Sequence, residues 1–334
     1  MTAPRPVVVL LYEGLPEAYV TAVRKVSPRI RVVLIGNDKP LPAEVAEATV
    51  LHRSWSLRHA TVDAVLDTAP HLEWMHVPSA GVDVALRPKI LERDFVITHM
   101  VGAYDRPVAE FALTLILAAT KRLPSYFDAQ REHRWAGVGS WDRVADQSAL
   151  PAQLGGKTVG IIGFGGIGKA LAAMVRPLKA RVIALQRSPQ ADRRADLVYG
   201  PDRLPDLLAA SDFVVLALPL TPQTERMIGG PEIERLKPTA WLINVARGRL
   251  IDDDALVSAL RDGRIGGAAL DVFSYEPLAA DHPYWALPNV ILTPHMAGAV
   301  QGVGELDQAS FLAELRRFVA RRPFKAVVPR SKGY

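Results

Sequence analysis

The 334-residue chain has no cysteine, which excludes disulfides, thiolate metal ligands and a cysteine nucleophile together. Long apolar runs are missing too: the longest, Phe111 to Ala119, has nine residues, about half of what a membrane span needs. The first stretch, MTAPRPVVVLLYEGLP, carries too short an apolar run and no small-residue cleavage site, so no secretory leader is expected. Blocks of like charge are absent. The 40 Lys and Arg against 35 Asp and Glu leave +5, without the basic clusters that nucleic-acid binding uses. A small anionic ligand suits that mild excess. No internal repeat or low-complexity segment stands out. What remains is an ordinary globular composition, 49% hydrophobic and 22% charged, in a chain expected to be soluble and cytoplasmic. Single cores stop growing near about 250 residues, so two domains are expected.

Short apolar runs alternate with helical patterns. In the first hundred residues, 6–11, 31–35, 49–51 and 72–77 read as strands, with helices over 16–26 and 59–68. A strongly apolar helix is expected over Val108–Thr120, with Pro107 at its start, and loops and short helices over 124–154. A second series follows: strands at 158–163, 181–185, 213–218, 240–246, 268–272 and 290–293, and helices at 168–178, 204–210, 253–261 and 305–320. Asp252 or Asp253 suits the N-cap of the 253–261 helix, and Gly263 its C-terminal glycine. Alternating β and α units imply parallel sheets covered by helices on both faces.

Gly163-Phe164-Gly165-Gly166-Ile167-Gly168 fits G-x-G-x-x-G. The string is weak alone, but here it follows an apolar strand and opens a helix, the setting of a dinucleotide site. Gly163 permits the tight turn, Gly165 lets a pyrophosphate approach the backbone, and Gly168 lets helix and strand pack closely. Gly166 and Ile167 complete the set of amides facing the phosphates. The acidic residue that would hold a ribose 2′-hydroxyl falls at Gln186, 18 residues past Gly168, and Arg187 and Ser188 follow. A guanidinium and a hydroxyl bind a 2′-phosphate that a carboxylate would repel, so NADP is expected in preference to NAD, with NAD still possible. The alternative is that Arg187 is a solvated loop charge.

Three polar residues follow three apolar segments: Arg247 after 242–246, Glu276 after 268–273 and His295 after 290–294. Ligands bind at the carboxyl ends of strands in an open α/β sheet, so the three can converge although far apart in sequence. The trio fits reduction of a 2-oxo acid. A guanidinium holds the carboxylate and polarises the carbonyl, an imidazolium delivers a proton to the carbonyl oxygen, and the glutamate orients the imidazole.

With these motifs in view, the chain resembles the D-isomer-specific 2-hydroxyacid dehydrogenases, a family that includes glyoxylate/hydroxypyruvate reductases, phosphoglycerate dehydrogenases and D-lactate dehydrogenases. The likeness is carried by GKTVGIIGFGGIG at 156–168, LKPTAWLINVARG at 236–248, GGAALDVFSYEPL at 266–278 and LPNVILTPHMAG at 287–298. It implies two doubly wound parallel-sheet domains: a Rossmann cofactor domain at 101–295, inserted in a flavodoxin-like substrate domain formed by 1–100 and 296–334. The domain cleft would close over the substrate. The resemblance also implies that Arg247 binds substrate, His295 is the acid/base and Glu276 its partner. Backbone amides in Ser79-Ala80-Gly81-Val82-Asp83 would receive the substrate carboxylate, Ser79, Ala80 and Gly81 foremost. Leu218 and Pro219 would lie along the cofactor, Val245 would support it, and Asp271 would sit near the nicotinamide amide. No metal is implied.

The family's homodimer would use the helix Val108–Thr120 and the stretch Tyr126–Trp141, with Trp141 an interface residue. Two departures from the family pattern stand out: the missing acid at Gln186, and Gly102-Ala103-Tyr104-Asp105-Arg106 in place of a small-polar turn. No added C-terminal regulatory domain is expected after Tyr334. The expected reaction is hydride transfer between a nicotinamide and the C2 carbonyl of a short 2-oxo acid, glyoxylate or hydroxypyruvate first. Pocket walls are expected from Ser54–Trp55, Met100–Tyr104 and Tyr284–Trp285. A phosphoglycerate or formate-type dehydrogenase is the alternative, although Arg53, Arg58 and Arg106 are only scattered cations for a phosphate. A nicotinamide-sensing co-repressor is the reading from another class, and the full Arg–Glu–His set argues against it.

Overall fold

The computed structural model describes residues 6–82, 86–137 and 150–328. The chain divides into two compact units, Met1–Ala103 with Gln301–Tyr334, and Tyr104–Val300. In the first, β1 (Val7–Tyr12), β2 (Ile30–Ile35), β3 (Val50–His52), β4 (Trp74–Val77) and β5 (Val96–His99) pair in parallel in the order β2-β1-β3-β4-β5. This is a flavodoxin-like order. β1 reads VVVLLY and is buried along nearly its whole length, as a strand covered on both faces must be. One face packs on the helix His59–Thr68 through Val62, Val65 and Leu66. The other packs on the helices Glu17–Arg24 and Val303–Val319, where Phe311 stacks on Trp74 with ring centroids 5.0 Å apart.

β5 is absent from the sequence reading. Its four residues include Thr98 and His99, which break the apolar signature, and pairing with β4 holds it in place.

In the second unit, β6 (Thr158–Ile162), β7 (Arg181–Leu185), β8 (Leu197–Tyr199), β9 (Phe213–Leu216), β10 (Trp241–Asn244), β11 (Gly267–Leu270) and β12 (Val290–Leu292) form one parallel sheet. The order is β12-β11-β10-β9-β6-β7-β8. The chain leaves β6 towards β7 and β8, then returns to the other side at β9. That reversal makes the crevice at the carboxyl ends of β6 and β9 the place where such sheets bind dinucleotides. β8, only three residues long, is a second strand that periodicity misses.

The apolar helix begins at Asp105, not Val108, so Pro107 lies in its first turn rather than at its start. It is mostly committed to its own unit: Val108, Ala109, Ala112, Leu115, Ile116 and Ala119 pack with Leu171, Ala172 and Val175 of the next helix. Exposed apolar groups follow it instead, at Leu123, Tyr126, Phe127 and Trp135, the last 95% exposed. Trp141 and Asp83 lie outside the described residues. Among the described residues no helix is long and apolar enough to cross a membrane.

Candidate active site

The glycine turn sits at the switch point. Gly163 has φ +98°, a left-handed conformation that side chains rarely adopt, and a Cβ there would collide with the Ala217 carbonyl oxygen. The contact keeps the segment leaving β9, with Leu218 and Pro219, against the turn leaving β6. Gly168 packs on the Gly163 carbonyl, so neither position admits a side chain. Gly165 differs: nothing lies within 4 Å of where its Cβ would be. The protein does not need a glycine there for its own packing, and the open space fits a phosphate group drawn close to the backbone.

The helix starts at Gly166, two residues before the expected Gly168, and α geometry ends at Val175. Gly165 is its N-cap, so the amides of Gly166, Ile167 and Gly168 form the first turn that an anion can approach. These residues fit the pyrophosphate of a dinucleotide. One neighbour was not foreseen. A Cβ at Gly166 would run into the Asp105 carboxylate, and burial raises the pKa of that acid. Gln186, Arg187 and Ser188 follow β7 directly, with Arg187 and Ser188 exposed. Val245 is buried in the sheet core just beyond β10.

Arg247, Glu276 and His295 follow β10, β11 and β12, three neighbouring parallel strands, so all three stand on segments that leave the same carboxyl edge of the sheet. Asn244, fully buried, shapes the first turn: its Oδ1 accepts from Ala246 N at 3.0 Å, and its Nδ2 donates to the Arg247 carbonyl at 2.8 Å. Arg247 Nη1 donates to the Ala246 carbonyl at 2.7 Å. A Cβ at Gly248 would overlap the Phe273–Ser274 peptide, so this glycine lets the Arg247 turn lie against the segment leading to Glu276. Glu276 Oε1 accepts from Phe273 N at 2.9 Å and Oε2 faces His295 Nδ1 at 2.7 Å. With Nδ1–H donating to the carboxylate, Nε2 is left as the atom that can exchange a proton with a ligand. The imidazole is 48% exposed and the glutamate 35%.

His295 has φ +55°, a strained conformation for a residue with a side chain. The fully buried Asp271 holds it there. Its carbonyl accepts from His295 N at 2.7 Å, Oδ1 accepts from Thr293 Oγ1 at 2.6 Å and Met296 N at 2.8 Å, and Oδ2 accepts from Ala297 N at 2.8 Å. Asp271, expected beside the nicotinamide, is thus seen fastening the histidine turn. Asn244, and the part Asp271 plays in fastening the His295 turn, are what the sequence reading missed. The available signal was a polar residue closing an apolar strand next to a functional turn.

In the first unit, the Ser79-Ala80-Gly81 turn follows β4 by one residue, Pro78. Its Ser79 Oγ donates to the Gly81 carbonyl at 2.6 Å. One expected pocket wall is corrected, Tyr284, whereas Trp285 stays exposed. Tyr284 is buried in the second unit's core, and its hydroxyl donates to Asp253 Oδ1 at 2.9 Å, while Trp285 Nε1 donates to the Ala279 carbonyl. Of the scattered cations, Arg53 is buried, Arg58 pairs with Asp38 at 2.8 Å and Arg106 with Glu110 at 2.7 Å.

The family model described as D-isomer specific 2-hydroxyacid dehydrogenase, NAD binding domain, matches residues 113–297. The chain is 38% identical over 256 residues to a glyoxylate reductase of Thermococcus gammatolerans, covering 75% of each chain. Its fold is similar to that of a D-isomer-specific 2-hydroxyacid dehydrogenase from Xanthobacter autotrophicus, solved in complex with NADPH and MES. The TM-score is 0.81 at 28% identity, over 99% of this chain and 100% of that one. An NADPH-dependent glyoxylate/hydroxypyruvate reductase from Sinorhizobium meliloti, solved in complex with NADP and sulfate, gives 0.79 at 26% identity, over 99% and 100%. A dinucleotide turn at the switch point, an imidazole–carboxylate pair two strands from an arginine, and these relatives agree: the chain belongs to the D-isomer-specific 2-hydroxyacid dehydrogenases, nicotinamide-dependent oxidoreductases that act on CH–OH groups.

Proposed function

We propose that this enzyme reduces glyoxylate or hydroxypyruvate with NADPH, and that Arg247, Glu276 and His295 carry the chemistry. The observation behind this reading is the 2.7 Å pair of His295 Nδ1 and Glu276 Oε2 on the edge that also bears Arg247. A bound reduced nicotinamide supplies the hydride to the C2 carbonyl carbon. His295 Nε2 gives its proton to the carbonyl oxygen as negative charge builds there, leaving a neutral imidazole and a 2-hydroxy acid. Glu276 keeps the ring oriented through its contact with Nδ1. The Arg247 guanidinium grips the substrate with a two-pronged donor set, and the amides of the Ser79-Ala80-Gly81 turn take the carboxylate. Leu218, Pro219 and Val245 border the cofactor, and Asp271 serves it through the turn that bears His295.

The NADP preference rests on Gln186 standing where an acid would repel a 2′-phosphate, with Arg187 and Ser188 exposed after β7. Two structural relatives were solved with NADPH or NADP. The active form is a homodimer whose contact includes the exposed Leu123, Tyr126, Phe127 and Trp135.

Initial rates of NADPH and NADH oxidation against glyoxylate, hydroxypyruvate, pyruvate and bulkier 2-oxo acids test the whole reading. The highest kcat/KM is expected for a two- or three-carbon acid with NADPH. A higher kcat/KM with NADH removes the role of Arg187 and Ser188, and turnover only of bulkier acids removes the substrate assignment.

A further inference from the structure

The anion-binding role proposed for the Ser79-Ala80-Gly81 turn needs amides that point at a ligand, and the turn carries a device that aims them. All three of its carbonyls are engaged within the first unit. The Ser79 carbonyl accepts from Met100 N at 3.1 Å, the Ala80 carbonyl faces His99 Nδ1 at 2.8 Å, and the Gly81 carbonyl accepts from Ser79 Oγ at 2.6 Å. A carbonyl oxygen can only accept, so His99 Nδ1 carries the proton and donates. In a planar trans peptide the C=O of one residue and the N–H of the next point in opposite directions. Tying the Ser79 carbonyl to Met100 therefore turns the Ala80 N–H away from β5. Tying the Ala80 carbonyl to His99 turns the Gly81 N–H away likewise.

We infer that His99 is a positioning residue: by donating from Nδ1 to the Ala80 carbonyl it fixes the Ala80–Gly81 peptide and aims the Gly81 N–H at the substrate carboxylate. The inference rests on the proposed role of the turn. The imidazole is itself well anchored. Its backbone N–H donates to the Ala326 carbonyl at 3.0 Å, at the end of β5. Burial pushes its pKa below the ordinary histidine value, with the Ala80 and Ser79 carbonyls pulling it partly back. Near neutral pH it serves as a neutral donor and brings no charge of its own to the anion. The side chain touches the turn, not the ligand, and so belongs to placement rather than to proton transfer.

The test separates donor from volume. His99→Phe and His99→Leu keep apolar bulk without a donor, whereas His99→Asn places an amide N–H donor at the Nδ1 position. In the full-length enzyme, the two donor-free variants are expected to raise the KM for glyoxylate and the Ki for oxalate, an unreactive anion probe, together by about tenfold. The Kd for NADPH, measured by fluorescence without turnover, should stay within about twofold and reports that each variant is folded. Asn should bring KM and Ki back to near the original values. Unchanged KM and Ki in both donor-free variants overturn the inference, as does an Asn variant as impaired as Leu. Ala80→Pro, which deletes the companion amide, keeps the two layers apart. If it leaves KM and Ki unchanged, the turn is not the anion site. If it raises both while His99→Phe and His99→Leu do not, the turn stands and only the assignment to His99 falls.

Discussion

The two parallel sheets present opposite kinds of group at their carboxyl edges. In the second unit, the segments after β10, β11 and β12 bear an arginine, a glutamate and a histidine, the side chains proposed above to carry the chemistry. In the first unit, two histidines near the same edge turn inward instead. His52 Nε2 meets Asp307 Oδ2 at 3.0 Å, His76 Nδ1 meets Thr98 Oγ1 at 2.8 Å, and both histidines are fully buried. What the turn after β4 offers a ligand is backbone. In the proposed reaction one sheet would supply the reactive groups and the other a shaped set of amides, which matches the demands of the chemistry. Proton transfer needs a titratable atom, whereas holding a carboxylate needs only fixed dipoles.

The comparison breaks most readily at His295. His295→Ala should lower kcat with glyoxylate and NADPH by about 10²–10⁴-fold, the usual worth of a positioned acid, and leave the NADPH Kd nearly unchanged. Stopped-flow or steady-state rates suffice, with NADPH fluorescence for binding. If kcat falls no further than it does in Ala80→Pro, the division between a reactive edge and a holding edge is wrong.

A sharper contrast lies inside the glycine turn of the second unit. Gly163→Ala must tolerate a positive φ and overlap the Ala217 carbonyl, so it should lower folding stability by about 1–3 kcal/mol, read as a fall in Tm. Gly165→Ala meets no protein atom within 4 Å. It should change Tm little and weaken NADPH binding by about tenfold or more, because its methyl group occupies space meant for the pyrophosphate. Equal losses of Tm in the two variants, with cofactor affinity intact at 165, would make the turn an ordinary structural connection.

These contrasts also explain what could be read in advance. The helices Leu204–Ala210 and Asp253–Arg261 and the strand Arg181–Leu185 were legible to the residue, because apolar period and boundary residues agree there. Asp252 is the N-cap of the second helix, accepting from Ala255 N at 3.1 Å, and Gly263 has φ +65° beyond its end. The Glu276–His295 pair was legible because side-chain chemistry leaves its mark in residue identity. Asn244, His99 and the fastening role of Asp271 were not, because a polar residue at a strand end can face a ligand or turn back to fasten a loop, and composition does not record which. The start of the helix at Gly166 was hidden for a related reason. Glycine is a poor helix former, and it opens this helix beside the Asp105 carboxylate, which a Cβ at this position would meet.

The inward-facing histidines of the first sheet give a smaller effect, visible in stability rather than turnover. Trp74 Nε1 donates to Thr98 Oγ1 at 2.8 Å, and the single Thr98 hydroxyl proton is then suited to His76 Nδ1, leaving His76 neutral with its proton on Nε2. A proton added to Nδ1 would displace that hydroxyl proton and put charge in a site stacked against His52 and edged by Trp74 and Phe311. Burial accordingly pushes the His76 pKa well below its ordinary value, and His52 and His99 add to the shift. Asp307 Oδ1, 3.8 Å from Nε2, pulls the other way, but its other oxygen is engaged by His52, and complete burial dominates. The sign follows from linkage. Below the ordinary value of about 6.5 the unfolded chain takes up a proton that the folded chain refuses. Stability therefore falls with falling pH, by up to about 1.4 kcal/mol per pH unit for this one group, and is level above 6.5 as far as His76 is concerned. Urea denaturation from pH 7 down to pH 5 should thus show a slope that His76→Gln reduces by close to one proton's worth, whatever that substitution does to stability at pH 7. The slope will not vanish, because burial also depresses His99. An unaltered slope in the variant would mean that His76 is protonated in the folded protein, with Asp307 rather than Thr98 deciding its state.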